Sequence, residues 1–546
     1  MTPKKGVLFL QKSKKQTFMQ GAMILVAGTL MAKIISAFFK IPLQHLIGNT
    51  CMGIFNSAYQ YYTVMFVVAT AGVPVALSKL ISESNALGRG REVRRIARLA
   101  AVVFVAFGAL CSLGLFFAAG WIADASNNPM ALLAIRAVAP AVFFVSIIAV
   151  VRGYFQGMSN MTPTALSQIV EAAGKVALGL LLAAYASSAG FDQPATAACA
   201  ILGVTIGEAL AALTMLGYAA RARKRPAAML SDHCRPYGEL FRVLLLTVIP
   251  VTLTSSVTSL TTLVDTAMLV SRLQEVGYDL TAANALYGVY TGQAFTMFNF
   301  PQTLITALAT AVLPALAAAY VQQNFTLAAK NMGSAMRIAM LIALPACVGY
   351  FVLSHPIIDL LFADETNPDV SPLLGGDLLR ILALAIPSVA LVGLSNAILQ
   401  AIGQMRVPIF TMLLGGLCKI ALNYFLVGNP EINIYGAPVG TFACYTLIAV
   451  LNLLWVRRFI RLPSIGKLFV RPFAACIGMA AAALIVYRLL AGFLGSVAVL
   501  AAICVAAAVY AVLLVALNAL EREDILLLPG GRRLVKLLRM EQKENA

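Results

Sequence analysis

YFQGMSNMTPTALSQIVEAAGKVALGLLL, residues 154–182, closes one apolar run, turns, and opens the next. It contains a helix end at Gly157, a short polar turn, a proline at Pro163 suited to the first turn of a helix, and Lys175 a dozen residues further on. The same order returns in LQAIGQMRVPIFTMLLGGLCKIALNYFLV, residues 399–427, as Gly403, Pro408 and Lys419. Upstream, Pro140 matches Pro387, and VPVALSKLISE (73–83) is similar to VLPALAAAYVQ (312–322). Any one match between apolar helices is weak. Together, at similar offsets that differ by a few residues, they mark an internal repeat.

Outward from these turns the chain is apolar almost throughout. Of 546 residues, 60% are hydrophobic and 11% charged, whereas a soluble domain carries about 25% charged residues. That balance makes lipid the solvent. A helix needs about 20 apolar residues to cross the hydrocarbon core. Fourteen runs meet that rule, near 17–40, 52–82, 96–120, 129–156, 162–188, 196–220, 238–270, 284–316, 333–354, 377–401, 407–427, 436–456, 468–491 and 497–518. They are too long and too uniformly apolar for barrel strands, so the expected fold is an all-α polytopic membrane protein with 14 transmembrane helices.

The net charge of +18 is concentrated in short segments between the runs. The N-terminus, the 83–98 loop with Arg89, Arg91, Arg94, Arg95 and Arg98, the 221–237 loop, the 457–467 loop and the C-terminal tail are basic. The 355–377 segment carries Asp359, Asp364, Glu365, Asp369 and Asp377 without a Lys or Arg. This alternation puts both termini on the cytoplasmic side of the membrane, with the basic segments facing anionic lipid rather than nucleic acid. The nine cysteines are scattered, most of them inside apolar runs where they act as small hydrophobes. No metal or cofactor is expected.

Six spans per copy is an even number, so both copies enter the membrane with the same polarity. Such parallel repeats hold substrate between the halves near the midplane. The expected division is 1–225 for the first six-helix lobe, 226–460 for the second, 461–520 for two appended helices and 521–546 for a basic cytoplasmic tail.

Charge inside a span is costly and points to function. Lys33 and Lys40 lie seven apart on one helix face; Lys175 and Lys419 fall near the bilayer centre at equivalent places in the repeat. These four are the candidate substrate-binding groups. Glu171, at i−4 from Lys175, is placed for an intrahelical ion pair. Asp265 and Glu208 are candidates for charge balance or for binding a coupling proton or cation. Arg152 falls at a cytoplasmic helix end and reads as a topology signal, and Tyr59, Tyr61 and Tyr62 read as an interfacial aromatic belt.

The segments GTLMAKIISAFFKIPLQHLIG (28–48), VPVALSKLISESNALGRGREVRRIAR (73–98) and RGYFQGMSNMTPTALSQIVE (152–171) resemble the SpoVB/MurJ-type polysaccharide-biosynthesis family of the MOP (MATE-like) exporter superfamily. The resemblance implies two six-helix lobes in a V, with two C-terminal helices whose groove takes a polyprenyl tail. It also implies flipping of an undecaprenyl-pyrophosphate-linked precursor, lipid II, by alternating access. Basic residues of the first span face the family's central cavity, which assigns that place to Lys33, with Lys40 beside it. The family's further cavity arginines find no match in YYTVMFVVATAG (61–72) or TGQAFTMFNFPQ (291–302). Teichoic, capsular and spore-cortex flippases share the scaffold.

The expected partners are therefore an anionic lipid-linked oligosaccharide and membrane lipids, with a coupling cation or the membrane potential as driving force. An ion-coupled drug exporter would place acids rather than lysines in the cavity. A membrane-embedded glycan polymerase would need essential acids in 355–377, which has no D-x-D pattern.

Overall fold

The computed structural model describes residues 18–223, 234–303, 322–362, 373–404, 406–460 and 466–517, with residues 305 and 519. Every regular element among them is helical. The basic N-terminal residues, most of the 221–237 loop, the end of the 284–316 run, Asp364, Glu365, Asp369 and the tail from 521 lie outside the described residues.

The chain opens on α1 (Phe18–Thr70), 53 residues long. A straight helix of that length would measure about 80 Å, far more than a bilayer can hold. Gly48 breaks it with φ +72°, a backbone conformation that glycine adopts at no steric cost. Phe39 and Phe55 would stand about 24 Å apart on a straight helix, yet their ring centroids are 6.2 Å apart. The chain therefore folds back at Gly48, and α1 holds the first apolar run and the larger part of the second, which α2 completes.

The first half continues through α2 (Val73–Ala86), α3 (Gly90–Ala125), α4 (Leu132–Gly157), α5 (Thr162–Ser188) and α6 (Gln193–Arg223). These pack chiefly on one another and on α1. Helices α5 and α6 cross so closely that a Cβ added to Gly203 would collide with the backbone of Gly179. Small residues at the crossing are how helices approach one another in lipid.

The second half contains α7 (Tyr237–Glu275), α8 (Leu280–Gly288), α9 (Phe325–Phe362), α10 (Leu374–Ala383), α11 (Ile386–Ala401), α12 (Arg406–Val427) and α13 (Gly436–Val456). Helix α8 runs into a π-turn over Val289–Ala294 and continues helically to 303. The last pair, α14 (Arg471–Leu494) and α15 (Ala498–Ala516), turns at Gly495 and docks on α9, where the Tyr510 hydroxyl donates to the Leu341 carbonyl at 3.1 Å.

Among the described residues, nine helices are long and apolar enough to cross a membrane, or ten when the pair α10–α11, bent by 45°, counts as one. The repeat is visible in the helix ends. Lys175 stands thirteen residues after the start of α5 at Thr162, and Lys419 thirteen after the start of α12 at Arg406.

At the end of the molecule marked by the Gly48 turn, the two halves touch. Cβ atoms on Gly53 or Gly288 would collide with the Asn284 and Asn49 carbonyls respectively. Buried Asn128 and Asn284 exchange hydrogen bonds at 2.9 and 3.2 Å. Gln293 donates to Asn49 at 3.2 Å, Asn127 to Ser271 at 2.9 Å, and Gln274 to the Asn127 carbonyl at 2.8 Å. All of these groups are neutral amides, hydroxyls and carbonyls. The ion pairs near this end, Arg272–Glu275 and His355–Asp377, are internal to the second half, and among the described residues no ion pair joins the two halves here.

Gly53→Ala is expected to destabilise the protein by about 1–3 kcal/mol through overpacking of this contact. Gly114, whose Cβ would meet open space, serves as the control: Gly114→Ala should be neutral or stabilising by up to about 1 kcal/mol. Thermal unfolding in detergent reads both, and equal effects would contradict the described crossing.

Candidate functional site

Below the closed end lies a cavity of about 570 Å³ lined from both halves. Three helices present polar stripes to it at helical spacing: Thr29, Lys33, Ser36 and Lys40 on α1; Gln168, Glu171 and Lys175 on α5; Thr296, Asn299 and Thr303 after the π-turn of α8. Steps of three and four residues bring side chains to one face. The cavity exists because each of these helices turns a polar face inward and an apolar face outward.

Lys33 and Lys40 share the cavity face, as their spacing predicts. Lys33 is exposed and has no hydrogen bond or ion pair among the described residues. Lys40 Nζ donates to the Thr291 carbonyl at 3.4 Å. That carbonyl belongs to the π-turn, where the regular helical ladder is interrupted and an oxygen is left for another donor.

Lys175 lies over the Tyr59 ring at 4.5 Å and the Phe39 ring at 5.6 Å, and donates to the Tyr59 hydroxyl at 3.3 Å. Ring quadrupoles attract the ammonium without neutralising it. The expected Glu171–Lys175 ion pair is not made. Glu171 Oε2 instead binds Arg152 Nη2 at 2.8 Å, while Arg152 Nε donates to Ser167 at 2.9 Å. Arg152 thus lines the cavity, and its reading as a topology signal is corrected. Its position five residues before the end of α4 resembles a loop charge in sequence, and only the packing of α4 on α5 turns it inward.

The belt reading of the tyrosines is also corrected. The fold-back at Gly48 carries them into the first half: Tyr61 and Tyr62 are buried and Tyr59 faces the cavity. Tyr62 donates to Glu208 Oε1 at 3.0 Å. Glu208 is 4% exposed, its Oε2 has no partner among the described residues, and it borders a side chamber of about 110 Å³ shared with Glu171, Lys175 and Ser36.

Lys419 is placed elsewhere. Its ammonium binds Asp265 Oδ2 at 2.7 Å, and Asn423 donates to the other carboxylate oxygen. Both members of the pair are nearly enclosed, and neither lines the cavity. The difference from Lys175 has a simple origin. Ser36 stands twelve residues before the Gly48 turn, and Asp265 stands twelve before Gly277. The second half has a carboxylate at that register and the first has a hydroxyl, so one lysine is neutralised and its counterpart is not.

Around the cavity and its side chamber stand four cations, Lys33, Lys40, Arg152 and Lys175, against two carboxylates, Glu171 and Glu208. With every group ionised, two positive charges remain in surplus among the described residues.

The family model described as polysaccharide biosynthesis protein matches residues 18–320, and the MatE model matches residues 250–425. Stage V sporulation protein B of Bacillus subtilis (strain 168) is 24% identical over 528 residues, covering 95% of this chain and 99% of that protein. Lipid II flippase MurJ of the same organism is 25% identical over 456 residues, covering 81% and 82% of the two chains. Among solved structures, a lipid II flippase MurJ in an inward closed conformation superimposes with a TM-score of 0.68 at 16% identity, over 90% of this chain and 98% of that one. An inward-facing MATE family transporter of the MOP superfamily gives 0.65 at 15% identity, over 80% and 97%. A membrane fold of this kind, a family match over more than half the chain and near-full-length similarity to Stage V sporulation protein B agree, and the chain belongs to the polysaccharide biosynthesis protein family.

Proposed function

We propose that the protein flips an undecaprenyl-pyrophosphate-linked glycan precursor, lipid II, across the cytoplasmic membrane by alternating access. The observation that carries the reading is the set of four cations against two carboxylates around the cavity and its side chamber; with every group ionised the surplus of two matches the two negative charges of a pyrophosphate diester. Each close opposite-charge pair at an effective dielectric near 20 contributes about 4 kcal/mol. That is the scale of help a diphosphate needs to leave water. The volume falls within the about 300–1,000 Å³ usual for ligand pockets. The polyprenyl chain needs no cavity, because lipid solvates it.

With both termini cytoplasmic, the amide-sealed end faces outward and the cavity is loaded from the cytoplasm. Lys33, Lys40 and Lys175 bind the phosphates, Glu171 and Glu208 balance charge, and the Lys419–Asp265 pair acts within the second half. A second reading, a spore-envelope or other wall polymer on the same carrier lipid, is favoured by the near-full-length similarity to Stage V sporulation protein B.

Depleting the protein should cause lipid II to accumulate on the inner leaflet, measured by extraction of lipid-linked intermediates. Accumulation of a teichoic or spore-specific precursor would favour the second reading, and no accumulation would end both. Lys33→Ala, Lys40→Ala and Lys175→Ala are each expected to lower flipping in vesicles about tenfold or more with little change in thermal stability, one lost charge-assisted contact being worth about 1.5–3 kcal/mol. Lys419→Ala should act through stability, about 3–5 kcal/mol for a broken buried pair, and Lys419→Met with Asp265→Leu should recover most of that loss. Calorimetry that finds Lys419→Ala as stable as wild type would contradict its assignment as a paired group.

A further inference from the structure

The four cavity cations stand at two depths. Arg152 is five residues from the end of α4 at Gly157, about 8 Å along the axis, and Lys175 is thirteen from the start of α5 at Thr162, about 20 Å. Those two helix ends share one turn, so Arg152 lies about 12 Å nearer the open side. On α1, Lys33 is fifteen residues from the Gly48 turn and Lys40 is eight, about 22 and 12 Å from the closed end. Arg152 and Lys33 thus form an entrance tier, and Lys175 and Lys40 an inner one.

Within the entrance tier the two groups differ in kind. Lys33 is a compact charge on a flexible stem. Arg152 is a planar fork, oriented by Ser167 on Nε and by Glu171 on Nη2. Both Nη1 protons and one Nη2 proton have no acceptor among the described residues, and the side chain borders the cavity. Guanidinium forks bind phosphate with two parallel hydrogen bonds, which an ammonium cannot do. Glu171 is the only carboxylate among the described residues lining the main cavity, and it sits on this arginine. It therefore both aims the fork and competes with an arriving anion.

We propose that Arg152 is the phosphate-recognition residue of the entrance, oriented by Glu171 and Ser167, which takes the headgroup first and hands it to the inner tier. This rests on the reading that the passenger is a polyprenyl diphosphate. Glu171 sets the release: by occupying part of the fork it keeps the first contact weak enough for the inner lysines to win.

The test is equilibrium binding by the purified full chain in nanodiscs, with undecaprenyl pyrophosphate and undecaprenyl monophosphate as the two probes. Wild type is expected to prefer the pyrophosphate. Arg152→Lys, which keeps the charge and removes the fork, should weaken pyrophosphate binding about tenfold and narrow the preference. Glu171→Gln should tighten it severalfold, a gain that a purely structural brace between Arg152 and Glu171 does not produce. Wild-type binding that Arg152→Lys and Glu171→Gln both leave unchanged would overturn the assignment of Arg152 and leave the flippase reading standing. Failure of wild type to bind either probe would overturn both.

Discussion

An ammonium group enclosed between helices at membrane depth has to find compensation, and at Lys419 it finds Asp265 at 2.7 Å. Its repeat counterpart Lys175 finds two aromatic rings and a tyrosine hydroxyl. The contrast divides the molecule. The second half pairs its lysine with a carboxylate and encloses it; the first half keeps its cavity cations partly unneutralised and turns them toward a shared space. Unneutralised charge in low dielectric is costly unless something arrives to match it, and in the proposed function that is the diphosphate headgroup.

The proposed alternating access requires that the halves separate and rejoin. The closed end is suited to that because its contacts are neutral. Asn128, Asn284, Asn49, Gln293 and Asn127 meet across the halves, and amide contacts of this type are worth about 0.5–1.5 kcal/mol each. Opening such a seal exposes polar groups that water can satisfy and strands no charge. The tight approach of Gly53 to Asn284 and of Gly288 to Asn49 adds shape specificity at little cost in reversibility. Beside this seal, the π-turn of α8 offers the Thr291 carbonyl to Lys40, so at this place a cation of the first half meets a backbone dipole of the second rather than a carboxylate.

The helical fold was legible because hydrophobic run length is a strong signal, and the repeat because Gly157, Pro163 and Lys175 recur as Gly403, Pro408 and Lys419 at matching distances. Lys33 and Lys40 were legible from their shared face. What escaped was pairing between distant helices. Glu171 stands one turn from Lys175, the ideal local partner, yet packing of α4 on α5 gives it to Arg152. The tyrosines at 59–62 lie near a run boundary in sequence, and only the reversal at Gly48 carries them inward. The stripe Thr296, Asn299, Thr303 had the spacing of a helix face but no charge to draw attention to it. In each case the deciding contact spans more than a dozen residues, beyond what local periodicity records.

If the cavity is near neutral when loaded and carries about two positive charges when empty, the membrane potential must act on the empty return. A potential of 100 mV across two charges amounts to at most about 4.6 kcal/mol. The direct measurement is the flipping rate of a fluorescent undecaprenyl-pyrophosphate lipid in vesicles holding the purified chain, with the potential clamped. A potential negative on the side of the cavity mouth should raise turnover severalfold over a collapsed potential. A rate indifferent to the potential would contradict the positively charged carrier.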